Sequence, residues 1–361
     1  MAGGSGTRFW PESRRERPKQ LLALVDARTM LRTTVDRIAD VIPPDRIWPA
    51  VGAGLVPAVR EELPEIAERN YVVEPCQRNT APCIGLAALR MQQVDPEAVM
   101  LVLPTDHAIA DVPAFHRGVA LAEQLASKPR KQIVTFGIKP TYPSEGFGYI
   151  ERGETITPPQ GAFKALSSEI DVYQVVRFRE KPKAEQAREF LESGNFYWNS
   201  GMFMWRADVI VEALGAHQPE MLQKLELIAG AYGTASYEAD LLREFPQVAS
   251  ISVDYAVMEH ARDVIVIEAP FDWDDVGSWR ALARLRGTDD EGNTIVGRHL
   301  GVDTVRSIVR TSDDHLVVTL GMKDCIVVHT PDATLVADKS EEESIRKVVE
   351  KLKERGWNDV L

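Results

Sequence analysis

The chain has 361 residues, 44% of them hydrophobic, enough to bury a full core in one large domain with an appendage or in two domains. A formal net charge of −12 disfavours nucleic acid and anionic membranes as partners, since both would repel such a surface, and any polyanionic substrate must find a local basic patch. No apolar stretch approaches the length of a membrane span, and Cys76, Cys83 and Cys325 form no Cys-x-x-Cys pair, which argues against a disulfide framework or a thiolate zinc site; a soluble protein of the reducing cytoplasm is expected.

From about residue 30 to residue 137 short β-rich runs alternate with helical patterns. Leu31, Val35, Ile38 and Ile42 repeat at three and four residues, "RIWPAV" follows, and a helix ends near Leu63. Next come "YVV", a helix over Thr80 to Val94, the apolar run "AVMLVLP" at 98 to 104, a helix after Pro113, and "QIVTFGI" at 132 to 138. Strands as continuously apolar as "VMLVL", alternating with helices, predict a doubly wound α/β domain with a mixed, mainly parallel sheet covered on both faces. Its ligand belongs beyond the carboxyl ends of the strands, where "PTDH" lies at Pro104 to His107. Residues 140 to 285 continue as mixed α/β, with strands near "VYQVVRF", "GMFMW" and "VIVIEA". After "GTDDEGNT" at 287 to 294 the pattern changes to short strands punctuated by Gly, Asp and Pro, so the expected division is a catalytic domain over 1–286 and a β-rich domain over 287–361. A terminal helix closes the chain, with Ser340 and Glu343 as a capping box, Ile345, Val348, Val349 and Leu352 as its apolar stripe and Gly356 as its stop.

Chemistry concentrates in the first twenty residues, "MAGGSGTRFWPESRRERPKQ". Gly3, Gly4 and Gly6 allow a sharp turn that presents backbone amides to an anion, and Arg8, Arg14, Arg15, Arg17 and Lys19 outnumber Glu12 and Glu16 in an otherwise acidic chain. The loop lacks the Gly-Lys-Ser/Thr of a Walker motif and the third glycine of a dinucleotide fingerprint. Seven histidines lie without metal-ligand spacing, and His107 is expected to position its loop rather than to ligate.

"GGSGTRFWPESRRERPKQ" resembles the signature of the mannose-1-phosphate guanylyltransferases, within the sugar nucleotidylyltransferase superfamily. The resemblance recurs in order at "EPCQRNTAP" (74 to 82), "PTDH", "FREKP" (178 to 182), "WNSGMF" (198 to 203), "DWDDVGSW" (272 to 279) and "GMKDCIVVHTPDATLV", and so covers essentially the whole chain. It resembles the short, single-activity form, without an isomerase-like region after it.

The resemblance implies a Rossmann-like nucleotidyltransferase fold with a small β-helix-like C-terminal domain, and transfer of GMP from GTP to mannose-1-phosphate with release of pyrophosphate. It implies Arg8 and Lys19 as cations on the triphosphate, beside the amides of Gly3, Gly4, Ser5, Gly6 and Thr7, and Lys181 on the phosphate of the attacking sugar. Asp106 and Asp275 match two carboxylates that hold Mg2+, a hard cation that keeps few protein ligands. For the sugar it implies Glu180, Asn199 and Gly146; for the guanine, Glu74, Arg78, Asn79 and Thr80. Between Asp274 and Asp275 the choice rests on alignment alone.

Alternatives within the same chemistry are another nucleotide or another sugar phosphate, such as a manno-heptose phosphate or glucose-1-phosphate. A non-catalytic relative that binds nucleotide sugar would tend to lose the charged positions, and Arg8, Lys19, Asp106, Lys181 and Asp275 are all present. The β-rich tail resembles one used for dimer contact, so a homodimer is expected. The resemblance also implies an apolar strand feeding the glycine loop, where only Met1 and Ala2 precede Gly3. The expectation is that the natural protein begins several residues upstream with a short Val, Ile, Leu or Ala run.

Overall fold

The fold is described from a computed structural model that covers the chain apart from residues 2, 4–5, 128–131, 157–169 and 313. Thr29 opens the first helix, Met30–Ile38, its hydroxyl accepting from the Arg32 amide at 3.0 Å, and Leu31, Val35 and Ile38 face inward at the predicted spacing. Strands β1 (Ala50–Gly52) and β2 (Val72–Glu74) pair in parallel, joined through the helix Val56–Glu62. The helix Thr80–Val94 follows, capped by Asn79, whose side chain accepts from the Thr80 amide at 2.9 Å.

The main sheet is built from β3 (Val99–Val102), β4 (Ile133–Ile138), β5 (Tyr149–Thr155), β6 (Val172–Arg179), β7 (Phe196–Arg206) and β8 (Val264–Glu268). Its order is β3-β7-β4-β8-β6-β5, with β5 also meeting β7. β3, β4, β8 and β5 run one way, while β7 and β6 run the other. β3 and β4 thus share a direction, as strand–helix alternation requires, but they are not neighbours, because the long strand β7 inserts between them. Alternate residues supply cores on opposite faces. Ile133, Phe203, Trp205, Val264 and Val266 point to one side; Val134, Met202, Met204, Ile265 and Ile267 point to the other. Met1 lies beside the β3 end of this sheet, its ammonium donating to the Leu103 carbonyl at 2.8 Å and its carbonyl accepting from Thr105 Oγ1 at 3.0 Å.

Beyond the helix Arg280–Arg286 come β9 (Thr294–Val296), β10 (His299–Val302), β11 (Ile308–Thr311), β12 (Val317–Leu320), β13 (Cys325–His329) and β14 (Thr334–Asp338). β9, β11 and β13 stack in parallel on one side and β10 and β12 on another, so the chain winds in successive rungs, and β14 turns back antiparallel onto β13. The terminal helix spans Ile345–Glu354 and buries Ile345, Val349 and Leu352. Its expected capping box is not formed. Residues Lys339–Ser344 make a separate 3-10 turn whose cap is Asp338, accepting from the Ser340 amide at 2.8 Å, while Glu343 is drawn away to Arg8. Gly356 ends the helix at φ 72°, as its position predicts.

A third core joins the two ends of the sequence. Phe9, Trp10, Leu22 and Leu24 pack with Val276, Trp279, Ile308, Ile326, Ile345, Val349 and Leu352. Polar ties follow the same seam: the Trp10 indole N–H donates to Val360 O at 2.8 Å, Arg14 pairs with Asp332 at 2.8 Å, and Arg310 donates to Ala23 O at 2.9 Å and pairs with Glu12. The basic run of the N-terminal segment is therefore divided. Arg14 secures the β-rich tail, and Arg8 and Lys19 turn to a cavity.

Candidate active site

Gly6 has φ 55°, and a Cβ there would stand 2.5 Å from Lys19 Cβ and 2.8 Å from the Lys19 backbone nitrogen. Only glycine fits that left-handed turn at that approach. It brings Lys19 beneath the loop, 7% exposed, with its ammonium donating to Asp106 Oδ2 at 2.8 Å and to the Asp275 carbonyl at 2.7 Å. One lysine thus joins three segments that are far apart in sequence.

The resulting cavity of about 510 Å³ is lined by Gly6, Thr7, Arg8, Lys19, Asp106 and Asp275, with Phe9, His107, Gly277 and Arg346. Of the expected phosphate loop, Gly3 is exposed and Gly4 and Ser5 lie outside the described residues. Desolvation raises the Asp106 carboxyl, but the Lys19 charge and hydrogen bond, His107 and the N-terminal ammonium together hold it below its ordinary value. Asp275 is shifted the other way, because burial exceeds the opposing pull of Lys19.

Asp274 is engaged elsewhere. Its carboxylate takes Arg284 at 2.5 and 3.0 Å and caps the Val276 amide at 2.8 Å, and its backbone bridges to Ala108. That leaves Asp275 as the member of the pair on the cavity wall. His107 is buried, with its ring pushed down to about 4 by burial, and its Nδ1 accepts from the Trp273 indole at 3.1 Å. It fixes the two acidic loops to each other, in keeping with a positioning role.

Among the described residues no group of three or more His, Cys, Asp or Glu side chains gathers as a metal cluster. Asp106 and Asp275 nevertheless suit a hard divalent cation whose remaining ligands are substrate oxygens and water. A second cavity of about 590 Å³ opens behind the same loops. Its Arg28 and Arg284 are spent on Asp26, Asp36 and Asp274, while Arg37 donates to the His107 carbonyl at 3.0 Å.

The expected sugar residues form a second group. Glu180 and Asn199 meet over Gly148, where a Cβ would stand 2.4 Å from Glu180 Oε2 and 3.4 Å from Asn199 Cβ. A Cβ on Gly146 would meet nothing closer than Ser144 Oγ at 3.6 Å, so no protein atom crowds that backbone. The Asn199 amide donates to Asp254 Oδ1 at 2.7 Å, and its carbonyl accepts from the Gly201 amide at 3.0 Å. Sequence reasoning missed Asp254, whose buried carboxyl is raised by desolvation; no motif flanking it signals that it lies under Asn199. Glu180 is raised as well, by burial and then by Asp254. Lys181 stands beside Glu180 with its ammonium 3.4 Å from the carboxylate and its side chain 60% exposed.

A third group, the expected base contacts, is largely engaged in structure. Asn79 caps its helix, Thr80 Oγ1 accepts from the Val253 amide at 2.9 Å, and Arg78 donates to Pro246 O. Glu74 is buried and raised to about 7 by desolvation. Aromatic contacts connect the sugar and acidic groups, Phe147 meeting both Trp198 and Trp273 with ring centroids 5.0 and 5.4 Å apart. All three cysteines are free, and no helix among the described residues is long and apolar enough to cross a membrane.

Residues 1–291 match the family model "Nucleotidyl transferase", and residues 297–352 match "MannoseP isomerase/GMP-like beta-helix domain". A mannose-1-phosphate guanylyltransferase of Klebsiella pneumoniae is 38% identical over 98% of this chain and 73% of its own length. One of Escherichia coli K12 is 39% identical over 99% of this chain and 74% of its own. A crystal structure from Thermus thermophilus, described as a mannose-1-phosphate geranyltransferase, superposes with a TM-score of 0.84 at 32% identity over 98% of both chains. With these matches running through the glycine loop, both acidic loops and the β-rich tail, the chain belongs to the mannose-1-phosphate guanylyltransferase family of nucleotidyl transferases.

Proposed function

We propose that the chain transfers GMP from GTP to mannose-1-phosphate, giving GDP-mannose and pyrophosphate, with Mg2+ as its divalent cation. The observation that carries this reading is the Lys19 ammonium at 2.8 Å from Asp106 and 2.7 Å from the Asp275 carbonyl, which draws the glycine loop and both acidic loops into one cavity.

A phosphate oxygen of the sugar attacks the α-phosphorus of GTP. The new P–O bond forms in line with the bond that breaks, and pyrophosphate leaves with that electron pair. The protein supplies positioning and charge rather than a nucleophile. In this reading the amides of the glycine loop, Gly3 to Thr7, with Lys19 and Arg8 hold the triphosphate, and the Lys19 charge faces the negative charge that develops on the leaving group. Asp106 and Asp275 would hold the cation, which neutralises phosphate oxygens when bound. Glu180 and Asn199, with the backbone around Gly146 and Gly148, receive the hexose hydroxyls, and Glu74 and the segment Arg78 to Thr80 lie where the base is bound. Residues 1–286 form the catalytic unit and 287–361 the β-rich one.

Lys181 is an exposed cation beside Glu180 of the sugar group, on backbone with φ 45°. Lys181→Ala is expected to raise KM for mannose-1-phosphate at least about tenfold, the scale of one charged hydrogen bond, while KM for GTP stays within about twofold. Steady-state rates of pyrophosphate release with each substrate varied measure both. Unchanged sugar-phosphate kinetics would remove Lys181 from the site, and faster turnover with another sugar phosphate or nucleoside triphosphate would replace the substrate assignment.

Homodimerisation belongs to the same reading, supported by an apolar face on the β-rich coil. Leu300, Val302, Leu316, Val318 and Leu320 are between 42% and 71% exposed on and beside the paired strands β10 and β12. Contiguous aliphatic surface of this kind marks an interface. Light scattering is expected to give twice the chain mass at micromolar concentration, and a monomer there refutes it. A cytoplasmic setting fits the three free thiols, and cell fractionation tests it.

A further inference from the structure

The terminal helix Ile345–Glu354 buries Ile345, Val349 and Leu352 in one core with Trp279 and with Phe9 and Trp10, which follow directly on the glycine loop. Burial of that face fixes where the residues between them go. Arg346 reaches the wall of the cavity that holds Gly6, Thr7, Arg8, Lys19, Asp106 and Asp275. Among the described residues its guanidinium has no hydrogen-bond or ion-pair partner. Arg8 differs: its Nε donates to Glu343 Oε2 at 2.8 Å and its Nη1 to Gly277 O at 3.2 Å. Glu343 is three positions before Arg346 in the chain, and its side chain is 64% exposed.

The cavity therefore contains three cations with different commitments. Lys19 is neutralised by Asp106 and buried. Arg8 is neutralised by an acid that solvent reaches freely, and an ion pair so exposed is weak. Arg346 is not neutralised. A triphosphate carries several negative charges and many acceptor oxygens, and arginine offers planar, paired donors that match phosphate geometry. Phosphate oxygens can both occupy Arg346 and displace the single carboxylate from Arg8.

We propose that Arg346, supplied by the β-rich tail, is a further phosphate-binding residue of the nucleotide site, and that Glu343 occupies Arg8 until the triphosphate replaces it. The proposal rests on the reading of this cavity as the triphosphate site. Under it the β-rich unit completes the nucleotide site as well as bracing the glycine loop. Arg8 and Arg346 grip the phosphates from two sides of the seam between the units. Glu343 sets a threshold, since nucleotide must compete with it.

The test is steady-state kinetics of the full-length chain with GTP varied at saturating mannose-1-phosphate. Arg346→Gln is expected to raise KM for GTP about tenfold with the sugar-phosphate KM unchanged, and Arg346→Lys to recover part of the loss. Glu343→Gln is expected to move the other way, lowering KM for GTP about two- to fivefold, because a competing acid is gone while the helix keeps its apolar face. A merely structural role for either residue gives no improvement. Lys19→Gln separates the two levels. If it raises KM for GTP and Arg346→Gln does not, Arg346 is not a nucleotide ligand and the proposal is overturned while the cavity assignment stands. If neither changes KM for GTP, the cavity assignment falls and the proposal with it. Arg346→Gln and Glu343→Gln raising KM alike, with a shared drop in Tm, also overturns it.

Discussion

Asp106→Asn and Asp275→Asn are each expected to lower turnover at least about a hundredfold, the several kcal/mol that a bound cation contributes to stabilising transition-state charge. Both carboxylates line one cavity, and Lys19 contacts both residues within 2.8 Å. If they serve one cation, removing the second after the first costs little more, since groups acting as a unit do not add. The double variant should then lie within about tenfold of the worse single one. Chelation should silence the native chain, and each single variant should regain part of its activity when the divalent cation is raised. Strictly multiplicative losses would assign the two carboxylates separate tasks. Asp274→Asn provides the contrast: Asp274 is held by Arg284 and by the Val276 amide, so its loss should appear chiefly in stability.

Lys19→Gln carries the other large effect. Lys19 is buried, and its charge and hydrogen bond are the main pull, with His107 and the N-terminal ammonium, that sets the Asp106 carboxyl below its ordinary value despite desolvation. Without it Asp106 loses its compensating partner, and the repulsion between Asp106 and Asp275, which line the same cavity, is offset less. The floor of the phosphate loop stays, because Gly6 packs on the Lys19 backbone and Cβ, which glutamine keeps, so the substitution removes the charge alone. A preorganised charge facing the leaving group is worth about 3 to 4 kcal/mol, so turnover should fall on the order of 10² to 10³. Breaking the pair costs stability too, less than the 3 to 5 kcal/mol of a fully buried pair because Asp106 is 36% exposed. Rapid-quench rates and thermal denaturation separate the two losses. A Tm shift with native turnover in the surviving fraction would make Lys19 structural only.

Several features were legible in the residues themselves because they depend on local chemistry. The glycine run with its following arginines, the acids ending apolar strands, the three- and four-residue spacing of Leu31, Val35 and Ile38, and the short punctuated strands after residue 287 each declare a loop, a helix or a rung without reference to distant partners.

Tertiary structure decided what depends on register between distant segments. β7 lies between β3 and β4 because an eleven-residue strand from the second half of the sheet pairs with both, which nothing in residues 98 to 138 can announce. Gly148 lies beneath Asn199 and Glu180 because the pairing of Tyr149 with Trp198 sets the register there. Asp254 under Asn199 is a contact across 55 residues, and Glu343 on Arg8 one across 335. The motif residues could be read as donors and acceptors, but which partner each one holds was settled only when packing of the apolar faces fixed the helices and strands that present them.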